Sequence, residues 1–270
     1  MQHQKEQRKR ALVETVAGLA TDRSDAVRAK ALAQVIRQFY AHVPPDDLTS
    51  RDAEDLYCAA TSLWEFAQQR RPGHAKIRVF SPRLAEHGWH AGRTVVEIVN
   101  DDMPFLVDSV TAALNGIDLI VHLIIHPVLR LRRDAKGEIV ELLDEAASDG
   151  AGSLRESLMH VEISEQNDPA RREAIATRLG AVLQDVRHAV TDWPAMRKAL
   201  SVALDDLENS KLPMPAREVN EVAAFLRWLD EENFTFLGYR EYRYRTAVGD
   251  DSVVVPKSGL GILRDDDFSV

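Results

Sequence analysis

The chain has 270 residues, 45% of them hydrophobic and 29% charged, which is typical of a globular protein with one or two domains. Its 43 acidic and 34 basic side chains give a net charge of −9, which disfavours binding to nucleic acid and to anionic membranes. A single cysteine, no secretory signal and no apolar run long enough to span a bilayer predict a cytoplasmic protein without internal disulfides.

Residues 1–73 predict an N-terminal helical segment. Apolar residues recur at helical spacing over residues 32–39, and Ser24 is the expected N-cap of this helix. A second helix, capped by Thr49 or Ser50, carries its apolar face over residues 56–67. The basic side chains among the first ten residues indicate a solvated helical turn more than a nucleic-acid arm.

Residues 74–192 predict an α+β domain. The order of its elements is close to a split βαβ, ferredoxin-like arrangement, in which an antiparallel sheet carries helices on one face. The periodicity and the turn residues predict a strand at 93–99, a helix from 106, one long strand at 117–132, strands at 138–143 and 158–163, and a helix from 169.

The remaining chain predicts a helical connector over residues 193–232, with a break at Trp193-Pro194, and the truncated start of a second α/β module over residues 233–270. Alternating residues at 234–245 and at 253–255 predict a hairpin in that module. Acidic side chains interleave with its aromatic residues, which favours core packing over a stacking surface for bases.

Catalytic motifs are missing from the sequence, which contains no P-loop, no nucleophile-elbow serine and no zinc-protease motif. Gly259 and Gly261 resemble the start of a dinucleotide-binding loop, but Arg264 occupies the third glycine position, which favours an ordinary turn. His122 and His126 lie in a predicted strand with Cα atoms about 13 Å apart, too far for one shared metal ion. We therefore expect no catalytic, cofactor-binding or metal-binding residue in this chain.

Asp101 and Asp102 lie at a predicted strand-to-helix turn. A carboxylate at this place can cap the helix by accepting hydrogen bonds from its free backbone N–H groups. The same N–H groups can instead hold an anionic ligand, such as the carboxylate of an amino acid. The residues favour capping by Asp102 and leave ligand binding open.

Four blocks of the sequence resemble the N-terminal region of the large bacterial NAD-dependent glutamate dehydrogenases. They are residues 95–109 (VVEIVNDDMPFLVDS), 121–128 (VHLIIHPV), 156–163 (ESLMHVEI) and 234–242 (FTFLGYREY). The resemblance implies ACT-like regulatory modules here, with NAD binding and catalysis in another domain of a longer chain. It implies that this chain is a fragment or truncated product of an enzyme that converts glutamate to 2-oxoglutarate and ammonia.

The strand-to-helix turn is also similar to the ACT signature Asp-x-Pro-Gly-Leu, which Asp102, Pro104 and Leu106 match. Phe105 occupies the glycine position, where a small residue lets a ligand approach the backbone, so its ring is expected to close the pocket. The regulatory ligand loop that the resemblance implies consists of Asn100, Asp101, Asp102, Met103, Pro104, Phe105 and Leu106.

The expected partners are the rest of the dehydrogenase chain, further copies in a homo-oligomer, and an amino-acid effector, with no nucleic acid and no membrane. The expected interface is the outward face of the long strand, formed by His122, Ile124, His126 and Val128. The alternative is a stand-alone ACT-like module for protein interaction or amino-acid sensing, without catalytic activity.

Overall fold

The computed structural model of the chain describes residues 2–144, 150, 152–210, 213–245 and 251–265. The chain forms two units, residues 1–182 and 183–270. The first unit combines helices with an antiparallel sheet, so the predicted α+β class is confirmed. Within the described ranges, no helix is both long and apolar enough to cross a membrane. Part of the segment between the predicted strands at 138–143 and 158–163 lies outside these ranges.

Four helices precede the sheet: α1 (Gln2–Arg23), α2 (Ala26–Tyr40), α3 (Pro45–Leu48) and α4 (Ala53–Ala67). The N-cap of α2 is Asp25, whose carboxylate accepts hydrogen bonds from two backbone N–H groups of the first turn at 3.1 Å. The N-cap of α4 is Asp52, which accepts one at 2.8 Å. The predicted caps at Ser24 and at Thr49 or Ser50 are wrong, because an aspartate closer to each first turn takes the free N–H groups.

The central sheet has six strands in the order β1-β2-β6-β4-β5, with β3 also paired to β6, and all neighbours are antiparallel. Two helices are inserted between its strands, and a long helix follows the last strand. The elements are β1 (Lys76–Phe80), α5 (Leu84–His87), β2 (Thr94–Asp101), α6 (Leu106–Asn115), β3 (Val121–Ile125), β4 (Val128–Arg133), β5 (Ile139–Leu142), β6 (Leu154–Ile163) and α7 (Pro169–Asn209).

The prediction of one long strand over residues 117–132 is wrong. The segment divides at His126-Pro127 into β3 and β4, which pair with successive parts of β6. A proline has no N–H group to donate to a neighbouring strand, so the ladder is interrupted where Pro127 stands. The predicted alternation survives the break, since Leu123 and Ile125 before it and Leu129 and Leu131 after it are buried.

The sheet is buried on both faces. On one face, apolar side chains of α1, α2 and α4 form a single core with strand residues such as Val99, Leu129 and Leu158. On the other face, a Cβ placed on Gly180 of α7 would lie 3.9 Å from the side chain of Ile77 in β1. The N-terminal helical segment is therefore the second cover of the sheet, which explains why β2 and β6 are buried along nearly their whole lengths.

The second unit contains the end of α7, then α8 (Ala216–Trp228), a π-helical turn at Leu229–Asn233, and four short strands: β7 (Gly238–Tyr239), β8 (Tyr242–Arg245), β9 (Asp251–Val254) and β10 (Leu260–Gly261). The predicted hairpin is confirmed by the antiparallel pairing of β8 with β9. The break predicted at Trp193-Pro194 is wrong, because α7 continues through Pro194. Met196, two residues on, is fully buried, so packing outweighs the one N–H that proline removes.

Candidate functional site

The predicted ligand loop connects the end of β2 to the start of α6. Asn100 and Asp101 still belong to β2, where they pair with Ser157 and Glu156 of β6. The helix begins at Leu106, so the connection itself consists of residues 102–105. The strand-to-helix turn that the sequence predicted is confirmed, but Asp101, one of its two acidic residues, belongs to the sheet rather than to the turn.

Asp102 does not cap α6, so this prediction is wrong. The N-cap is Phe105, and no side chain accepts a hydrogen bond there. Asp102 lies three residues too early, and it prolongs the sheet instead. Its N–H donates to the carbonyl of Arg155 at 2.9 Å, and its carboxylate pairs with the Arg155 guanidinium at 3.1 Å. The first N–H groups of α6 thus have no capping side chain among the described residues.

Phe105 adopts a left-handed backbone conformation, with φ of 71° and ψ of 1°. Glycine reaches this conformation freely, whereas any other residue pays a steric penalty of roughly 1–2 kcal/mol. The left-handed backbone conformation therefore explains why the ACT signature has a glycine at this position. Phe105 adopts the same turn although its side chain makes that conformation less favourable. The residue is 45% exposed. The expectation that the ring closes a ligand pocket stays a prediction.

The Asp101 carboxylate is engaged by the N-terminal helical segment. It accepts from the guanidinium of Arg70 at 2.6 Å and from the backbone N–H of Gly73 at 3.1 Å. The buried Arg70 also pairs with Glu156 at 2.7 Å, and Glu156 accepts two bonds of 2.7 Å from Arg133. This cluster connects the end of the helical segment to the ligand loop. The Asp101 carboxylate therefore already has hydrogen-bond partners within the chain.

The predicted interface residues lie on the sheet face that α7 covers in part. His122 is exposed, and Ile124, His126 and Val128 are half-buried. The Nε2 atom of His126 lies 2.5 Å from the hydroxyl of Ser157. Burial lowers the pKa of His126, and the charge of Asp102 opposes this shift only in part.

Ser157 is a residue that the sequence reasoning missed. It pairs with Asn100 of β2 on one side and with Val128 of β4 on the other. The structure therefore brings the predicted ligand loop and the predicted interface together at one strand. Among the residues that the structure describes, no group of three histidine, cysteine or acidic side chains is arranged to hold a metal ion.

A second charged cluster lies on the same face of the sheet as the Arg70 cluster, beneath the N-terminal helices. Glu97 accepts from the Arg78 guanidinium at 2.6 Å and from the hydroxyl of Ser62 at 2.9 Å. Glu162 forms a bidentate pair with the Arg51 guanidinium. The imidazole of His160 lies between the two glutamates, 4.0 Å from Glu97 and 3.8 Å from Glu162.

The carboxyl of Glu162 stays ionised although it is buried. Burial acts to raise its pKa, but the His160 imidazole and the Arg51 guanidinium outweigh this effect and lower the pKa from 4.5 to about 2. The sequence reasoning missed this cluster as well. A signal was present, because His160 and Glu162 alternate with apolar residues along the strand predicted at 158–163.

Comparison with known proteins identifies the domain that holds both clusters. The sequence model of the family described as "Glutamate dehydrogenase, ACT1 domain" matches residues 35–179, more than half of the chain. This chain belongs to the glutamate dehydrogenase ACT1 domain family. The ACT1 match begins inside α2, so it includes Arg51 and Arg70 of the helical segment as well as the whole sheet.

Three curated relatives have the name NAD-specific glutamate dehydrogenase. The protein from Halomonas elongata is 40% identical over 228 residues, the one from Pseudomonas aeruginosa 37% over 239, and the one from Mycobacterium tuberculosis 30% over 174. These matches cover 84%, 87% and 63% of this chain but only 14%, 15% and 10% of the relatives. The ACT1-containing chain thus spans about one seventh of the length of the first two, and the resemblance stated from four blocks is confirmed.

Proposed function

We propose that this chain is the N-terminal regulatory and assembly segment of an NAD-specific glutamate dehydrogenase. The whole enzyme would oxidise glutamate with NAD to 2-oxoglutarate and ammonia in the cytoplasm, as part of amino-acid catabolism. The observation that carries the proposal is the ACT1 match over residues 35–179, joined to relatives of which this chain spans only about one seventh.

We propose further that the chain alone neither binds NAD nor catalyses the reaction. The glycine turn at residues 259–261 supports this. The N–H of Gly261 donates to the carboxylate of Asp192 at 2.8 Å, and Arg264 pairs with the same carboxylate. A Cβ on Gly261 would also collide with the carbonyl of Leu237, so the chain itself fills the space that a diphosphate would need.

The test is the size of the native polypeptide, measured by immunoblot of the source cells with an antibody against this chain. We expect a band many times larger than 30.3 kDa. A band at 30.3 kDa would overturn the proposal in favour of a stand-alone ACT-like module. The purified chain is expected to show no NAD-dependent oxidation of glutamate, and measurable turnover would contradict its non-catalytic role.

The assembly role rests on the outward residues of β3. Ile124 is half-buried, and Ile120, just before the strand, is 63% exposed. Apolar side chains in such positions favour a contact with a second copy of the chain. We expect Ile120→Glu to weaken self-association in light scattering across a concentration series, with Glu165→Gln as the exposed control. An unchanged molar mass would remove this surface from the proposal.

A further inference from the structure

A cavity of about 300 Å³ lies between the N-terminal helices and the sheet. Its walls include Tyr40, Trp89 and His160, with Arg51, Asp55 and Arg93 as charged members. None of the residues 100–106 lines it. This volume is at the small end of ligand pockets, so it suits a molecule the size of an amino acid.

The charged side chains around the cavity differ in how strongly they are paired within the chain. Arg51 and Glu162 neutralise each other through their bidentate pair, and Asp52 accepts a hydrogen bond as the cap of α4. Arg93 is only loosely engaged, because its nearest contact to Glu162 is 3.9 Å long. The carboxylate of Asp55 has no hydrogen bond or ion pair among the described residues. The cavity therefore offers one available cation and one available anion.

The imidazole of His160 forms part of the cavity wall. Its side chain is 1% exposed, and its Nδ1 atom has no hydrogen-bond partner among the residues that the structure describes. This atom lies 4.0 Å from the carboxylate of Glu97, which does not line the cavity, so His160 contributes the surface of its ring rather than a hydrogen bond to an occupant. The ring of Trp89 lies beside His160, with centroids 6.2 Å apart, and gives the same wall an apolar surface.

We propose that this cavity binds a free α-amino acid, with its carboxylate on Arg93 and its ammonium group on Asp55. Opposite charges in one small cavity match a zwitterion, whereas a second carboxylate on the ligand would face Asp52 and Glu162. This inference deepens the proposed regulatory role and places the effector apart from the ligand loop. Binding is measured on the chain itself, so its failure is distinct from a failure of the immunoblot test.

The first test is thermal unfolding of the 270-residue chain with each standard amino acid. A ligand that binds only the folded state raises the melting temperature. We expect at least one amino acid to do so, while its N-acetyl derivative, which lacks the ammonium group, and its amide, which lacks the carboxylate, do not. No shift with any amino acid, or an equal shift with either derivative, would overturn the proposal.

The second test places the site by calorimetric titration of the active amino acid into four variants. Arg93→Gln and Asp55→Asn are each expected to weaken binding by at least about tenfold, because each removes a charged hydrogen bond. Arg93→Lys, which keeps the charge near Glu162, is expected to lose less than Arg93→Gln. The control Asp102→Asn, in the ligand loop, should bind as the original chain does. Loss of binding in the control with retention in Arg93→Gln would move the site to the loop and overturn the proposal.

Discussion

Replacing Glu162 by glutamine isolates the contribution of the buried charge pair under the helical segment. Glutamine keeps the size of the side chain but removes the charge, and it leaves Arg51 without its carboxylate. Removing one partner of a buried pair typically costs about 3–5 kcal/mol of unfolding free energy. The Arg51 side chain is 31% exposed and recovers some hydration, so we expect a value near the lower limit, about 3 kcal/mol.

The pKa of Glu162 gives the same magnitude by a separate argument. A fall from 4.5 in the unfolded chain to about 2 in the folded protein corresponds to about 3 kcal/mol. Because the folded-state pKa is the lower one, this contribution is complete above pH 4.5 and is lost as the pH falls towards 2. Near pH 3, about 1 kcal/mol of it should remain.

The assay is urea unfolding of the original chain and of Glu162→Gln at pH 7 and pH 3. Glu165→Gln is the matched control, since it removes an equal charge from an exposed position three residues away. We expect Glu162→Gln to be less stable by about 3 kcal/mol at pH 7 and by about 1 kcal/mol at pH 3, and the control to change by less than about 0.5 kcal/mol. A difference that is the same at both pH values would refute the electrostatic reasoning.

Urea unfolding at pH 7 also checks three local features. Asp102→Ala should change the unfolding free energy by less than about 0.5 kcal/mol, since it loses only an exposed pair with Arg155; a loss above about 1 kcal/mol would restore the capping role. Phe105→Val should be less stable than Phe105→Asn by about 1 kcal/mol, because asparagine tolerates a φ of 71° and a β-branched residue does not; equal stabilities would contradict the left-handed turn. Gly73→Ala, with φ of 79° and open space around it, should cost about 1 kcal/mol, whereas Gly137→Ala should cost several times more because its Cβ would meet a backbone carbonyl; similar costs would count against that close approach.

The order of the elements in the first unit could be predicted from local patterns. Steps of three and four between apolar residues marked α2, α4 and α6, and the alternation of residues 121–131 marked which side chains are buried. Such periodicities follow from the geometry of the helix and the strand, so the sequence alone carries them. The blocks around residues 95–109 and 121–128 were also enough to indicate the family that the ACT1 match confirms.

The roles of the charged residues depended on contacts between distant parts of the chain. Asp102 was expected to cap a helix from its place in the sequence, but the position of Arg155 on a strand 53 residues later gave it a different partner. Similarly, Asp101 meets Arg70, and Glu162 meets Arg51 across 111 residues. Capping is a local interaction and can be anticipated, whereas a salt bridge requires the fold to bring its partners together.

By itself, the sequence determined the class of the fold, the alternation of buried and exposed strand positions and the family to which the chain belongs. Only the tertiary structure decided that the N-terminal helices cover the second face of the sheet, and that charged residues of both parts meet between them. The physical reason is that hydrophobic periodicity indicates that one face of a helix or strand is buried but not which element covers that face. The cavity beside His160 exists only because that cover brings Arg51 and Asp55 of the helical segment to the sheet.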